Sequence, residues 1–162
     1  MAAVDYFLKL DGIEGESHDA KHKGEIQLET YNFGATQTGS HSAGGGGGAG
    51  KASLQDFSFV MLASKASPKL FLACCSGTHI PKAVLTCRKA GKEQQEYLKV
   101  TLSDLLISSF QSGGPHKGEQ LPFDSVSLNF AKIEIEYREQ KHDGTLNSPL
   151  KAGWDVKSNT AV

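Results

Sequence analysis

Cysteine is scarce in this chain: three residues among 162, at Cys74, Cys75 and Cys87, with two of them adjacent. An odd count with a vicinal pair is not a disulfide framework. No Cys-x-x-Cys or Cys/His spacing suggests zinc. Charge of one sign is also missing: Lys plus Arg is 17, Asp plus Glu is 18, and the net charge is −1. That leaves no electrostatic case for nucleic acid or for an anionic membrane surface. No apolar run approaches ~20 residues, so no helical membrane insertion is expected. Met1-Ala2-Ala3-Val4-Asp5 lacks the basic start and apolar core of a secretory signal, which predicts cytoplasmic synthesis. There is one Trp, Trp154, which reads as a packing anchor near the end of the chain.

Glycine, by contrast, is abundant and concentrated. The stretch Gly44-Gly45-Gly46-Gly47-Gly48-Ala49-Gly50-Lys51 is nearly free of side chains. Glycine loses the most backbone freedom on folding, so such a run is costly inside a helix or strand. It predicts a loop, from about Gln37 to Ala52, able to span roughly 50–58 Å if fully extended. Gly45-x-x-x-x-Gly50-Lys51 nearly spells a phosphate-binding loop, but Ala52 stands where the metal-ligating hydroxyl belongs. The flanks fail as well: Ala35 to Gly39 is not a buried apolar strand, and Leu54 to Phe59 reads as a strand rather than a helix start.

The rest of the chain reads mainly as strands in one domain, residues 1–162. Val4, Tyr6, Leu8 and Leu10 alternate with polar residues, with Phe7 an exception on the other face. Glu16 to Gly24 reads as a solvated loop; His18 and His22 lie in it, four apart, but with no apolar stripe to make a helix. Glu25 to Thr30 alternates, and Tyr31-Asn32-Phe33 changes phase, which predicts a bend or bulge. One helix is predicted, from Ser67-Pro68 to Ser76, with Ser67 as N-cap, Pro68 in the first turn and Gly77 past the end. Leu70 to Cys75 is so apolar that the helix should be largely buried, against a sheet or between subunits, with both cysteines as small core residues. Ala83, Leu85 and Cys87 share one face of the next strand; Val84, Thr86 and Arg88 share the other.

Two long segments follow. From Tyr97 to Phe110 the apolar residues Leu98, Val100 and Leu102 give way to Leu105 and Ile107 in the opposite phase. From Asp124 to Glu139, Val126, Leu128 and Phe130 give way to Ile133, Ile135 and Tyr137. Both are about twice the usual strand length of ~5–6 residues. Long strands that change phase midway are the kind that coil a sheet into a barrel. No clustered Ser/His/Asp, metal spacing or phosphate loop indicates an enzyme, and no cofactor is expected. A monomeric barrel that binds a small molecule, with the glycine arm as lid, is the alternative on these grounds.

The sequence also resembles the Hcp family of bacterial type VI secretion. The resemblance is carried by Phe7-Leu8-Lys9-Leu10-Asp11-Gly12-Ile13-Glu14-Gly15-Glu16-Ser17, by the glycine arm running through Lys51 to Gln55-Asp56-Phe57-Ser58-Phe59, and by Ala73 to Gly77. It continues through Leu85 to Gly91, Glu96-Tyr97-Leu98 and Leu128 to Ile133, and thins at His116 to Gln120 and Lys141 to Leu150. The resemblance implies a small β-barrel of two sheets with one α-helix at the side and a long Gly-rich loop. It also implies stacked hexameric rings forming a tube, with effectors carried and chaperoned in the lumen, and contact with sheath, spike and baseplate proteins. Export would then use the secretion system itself, without a signal peptide, and the chain length leaves no room for an added toxin domain. Gly44 to Lys51 is expected at subunit and ring-stacking contacts, and Asn32 is expected to face the lumen and its cargo.

Overall fold

The computed structural model describes residues 4–39, 49–90, 94–115, 118 and 121–162. In chain order the strands are β1 (Val4–Leu10), β2 (Ile26–Leu28), β3 (Thr30–Asn32), β4 (Ala35–Gly39), β5 (Ala49–Leu54) and β6 (Phe57–Leu62). Then come helix α1 (Ala66–Ser76), β7 (Ile80–Lys89), β8 (Glu96–Gly113), β9 (Phe123–Tyr137), β10 (Leu150–Asp155) and β11 (Thr160–Ala161). The two long strands are there, and they are the spine: β8 and β9 pair antiparallel along almost their whole length. Beside them β7 pairs with β8, β1 with β7 and β2 with β1, while β9 takes β6 along its first half and β10 along its second.

The expected barrel is a wrapped sheet that strand pairing does not close. β2 belongs to β1 and β3 to β6, and the seam between them is bridged by the chain itself. At that seam Glu29 N–H donates to Val60 O at 2.8 Å. This is the bend predicted before Tyr31. The second sheet is the hairpin β4–β5, which takes in both ends of the stretch expected to be loop. Strand formation wins there because pairing satisfies the backbone groups that an extended loop would leave to water. Gly50 lies close against its partner strand: a Cβ there would sit 2.6 Å from Thr38 O.

The phase change in β8 and β9 falls at one level of the ladder. Leu102 pairs with Ile133 and Leu105 with Phe130, so the register is the same on both sides of Asp104. Asp104 adopts φ 51°, and Ala131 O accepts instead from Val156 N–H at 2.8 Å. Both strands thus turn the opposite face to the core together, without an inserted residue. The true register shift comes later, between Ile107 and Ser109.

The helix departs from expectation at its start, and within one chain only part of its apolar surface is buried. It begins at Ala66, and Ser67 does not cap it. The Ser67 hydroxyl accepts from Ser64 N–H at 3.0 Å and donates to the buried Asp124 carboxylate. Its C-terminal end follows the sequence: Gly77 is left-handed, at φ 62° and ψ 33°, and Thr78 N–H returns to Ala73 O. Only Ala66, Leu70 and Ala73 are buried along α1. Phe71 and Leu72 are 55% and 65% exposed, and Cys75 is exposed rather than a core residue. No helix among the described residues is long and apolar enough to cross a membrane.

Candidate assembly surface

Four strands, in the order β3-β6-β9-β8, form one wall of the molecule, and straight rows of paired residues cross it. One row runs Asn32–Ser58–Ser127–Ser109; the next runs Thr30–Val60–Ser125–Gln111. Because paired residues share a face, both rows lie on the solvent side. Together they form an uncharged surface that is hydroxyl and amide apart from Val60, with Ser58 Oγ and Ser127 Oγ 3.1 Å apart. Asn32 is exposed at the β3 end of its row. Between these rows, on the opposite face, lies Tyr31–Phe59–Val126–Phe110, directed into the apolar core. Burial there, with Cys87 nearby, pushes the Tyr31 phenol well above its ordinary pKa.

Among the described residues neither border of this wall has a strand partner. β3 pairs only with β6, and beyond Leu105 the outer edge of β8 has lost β7. Such edges present unpaired N–H and C=O groups and template further pairing.

Of the residues expected at subunit contacts, Gly44 to Gly48 lie outside the described residues. Ala49, Gly50 and Lys51 open β5, with Lys51 exposed in the hairpin. The structure does not bring them to Asn32's rows; the hairpin forms its own sheet.

Sequence reasoning missed a buried polar cluster on the other flank. The segment read as a solvated loop is clasped to the sheet instead. Arg88, 2% exposed, donates from both terminal nitrogens to Asp19 at 2.9 and 2.7 Å, and more weakly to Asp5 at 3.4 Å. Its guanidinium holds the Asp19 carboxyl far below the usual carboxylate range. The guanidinium lies 4.8 Å from the centre of the Phe7 ring, and His22 stacks on that ring at 4.5 Å. The two His22 ring nitrogens each meet a carboxylate at 2.8 Å, one from Glu25 and one from Glu96. So Phe7, the odd residue of its strand, packs against its own chain, and the Thr86/Arg88 face of β7 is as buried as the Leu85/Cys87 face. A Phe out of phase with its strand, on the same face as Asp5, whose ladder partner is Arg88, was the available signal. Among the described residues no group of three or more His, Cys, Asp or Glu is placed to hold a metal ion.

A wrapped sheet with a side helix, a hairpin that forms its own sheet and a bare-edged polar wall is the architecture of a structural protein. A family model described as "Type VI secretion system effector, Hcp" matches residues 7–137. The chain belongs to the Hcp family, and it is a structural tube component of type VI secretion. Protein Hcp1 of Pseudomonas aeruginosa is 46% identical over 159 residues, covering 97% of this chain and 98% of that one. Among solved structures, Hcp1 from Salmonella typhimurium is 37% identical with a TM-score of 0.82, covering 99% and 100% of the two chains. A structure described as a type six secretion system protein is 25% identical with a TM-score of 0.94, with the same coverage.

Proposed function

We propose that this chain assembles head to tail into a hexameric ring, that rings stack into the tube, and that the Asn32 wall lines the lumen and carries effectors. The observation that carries this reading is the four-stranded wall with two bare borders. Copies related by rotation can pair the β8 border of one with the β3 border of the next, and a heterologous contact of this kind closes into a ring. Strand directions agree: β3, β6, β9 and β8 alternate, so the new pair is antiparallel as well. The uncharged hydroxyl face suits a conduit that must hold cargo and then release it. The glycine arm, Gly44 to Lys51, then makes contacts with a neighbouring copy or ring. Sheath, spike and baseplate proteins are the outer partners. The protein acts without catalysis, is made in the cytoplasm and leaves through its own system.

Electron microscopy of the purified protein, with mass determination in solution, tests the reading. Closed rings with a central opening are expected. A stable monomer of 17.3 kDa at every concentration would refute it and revive the small-molecule-binding barrel.

A further inference from the structure

Helix α1 carries two apolar stripes, and only one is buried within the chain. Ala66, Leu70 and Ala73 face the core. Pro68, Phe71, Leu72 and Cys75, spaced i, i+3, i+4 and i+7, are all exposed. That spacing makes a continuous helical docking face. A helix apolar on both sides is expected to be covered on both.

The position of this stripe says what covers it. The Phe71 ring packs edge-on against Phe110 at 5.9 Å. Phe110 begins the core-side row that crosses the wall through Val126 and Phe59 to Tyr31. At the far end of that row, beside the bare β3 border, lies a shallow groove of about 450 Å³. Tyr6, Glu29, Tyr31 and Phe33 line it, with Thr30 and Asn32 at its other rim, so it wraps the β3 edge. Tyr6 meets Tyr31 edge-on at 5.0 Å, and Phe33 stacks on Tyr31 at 6.2 Å. The apolar projection at one border and the aromatic side of the groove at the other therefore share one face of one sheet.

We infer that the occupant of each groove is the α1 stripe of the next copy, Leu72 and Phe71 seated against Tyr6, Tyr31 and Phe33. This rests on the ring reading and adds its anchor. Pairing β8 with a neighbouring β3 brings projection and groove together on the core side of the wall while the Asn32 face stays open. Strand pairing alone would supply few hydrogen bonds, since β3 is three residues long. Buried apolar and aromatic side chains are what usually dominate such seams.

Leu72→Asp tests the seam without touching the core. It is expected to weaken ring association by at least about thirtyfold, the effect of a hot-spot residue, in concentration-dependent native mass spectrometry. Its unfolding midpoint as a monomer should match that of wild-type protein diluted below the association range. Leu150→Asp, at a site 75% exposed on β10, should still assemble. Independently, Glu29→Cys treated with a short bis-maleimide should link to Cys75 of the next copy and give a ladder of covalent multimers that wild type does not give. If wild type forms rings while Leu72→Asp forms them equally well, or while the Glu29→Cys variant gives no cross-link to Cys75 of a second copy, the inference fails and the ring reading stands. If wild type forms no ring, both fail.

Discussion

Replacing Asp19 by Asn is expected to destabilise the chain by about 3 kcal/mol, the lower end of what breaking a buried ion pair costs. The lower end applies because the two carboxylates keep some water: the Asp19 and Asp5 side chains are 20% and 24% exposed, whereas Arg88 is 2% exposed. The loss comes from the cation left behind. The substitution leaves the guanidinium over the Phe7 ring with a neutral carboxamide oxygen in place of the carboxylate, and the 3.4 Å contact to Asp5 as its remaining charged partner. Arg88→Met removes the buried charge instead, and the remaining carboxylates can hydrate, so it should cost clearly less. For a chain this size, ~3 kcal/mol corresponds to a fall of about 6–12 °C in Tm. Urea and thermal melts of the three proteins at one concentration, under conditions where none associates, read the order directly. The pH dependence has a definite sign. Asp19 has a folded pKa below its unfolded value, so its contribution is complete above the usual carboxylate range and is lost as pH falls below it. Wild type should therefore lose stability in acid more steeply than Asp19→Asn. Equal costs for the two variants, or identical acid profiles, would refute the reasoning.

Deleting Gly45–Gly48 should reduce ring stacking, seen as shorter tubes or single rings by microscopy, with the unfolding midpoint nearly unchanged. Asn32→Arg places a cation at the end of the hydroxyl rows and should abolish or alter effector co-purification while rings persist. Gly15→Ala should cost about 1–3 kcal/mol in a urea melt, because its Cβ would lie 2.5 Å from Glu25 O and 2.7 Å from Ile26 Cα, both main chain. Burial pushes the Cys87 thiol up to about 11, so Cys87 should react with a maleimide at pH 8 only after unfolding, as read by mass spectrometry of the labelled peptides.

Local pattern by itself determined much of this protein. Alternation over Val4–Leu10, the bend before Tyr31, the Gly77 helix stop and the paired phase changes of β8 and β9 were all legible, because each depends on backbone periodicity or one residue's allowed angles. The resemblance also placed the chain in its family before any fold was seen. Tertiary structure decided the rest. His22 read as a loop residue and Arg88 only as a member of the second face of its strand, until contacts 74 and 69 positions apart in sequence buried them. The helix composition called for burial against a sheet or between subunits, and packing within the chain buries only one of its two stripes. The two bare borders exist only because β7 stops short along β8 and the chain crosses from β2 to β3. Burial and edge exposure are sums over partners distant in the chain, and no local window of sequence contains those partners.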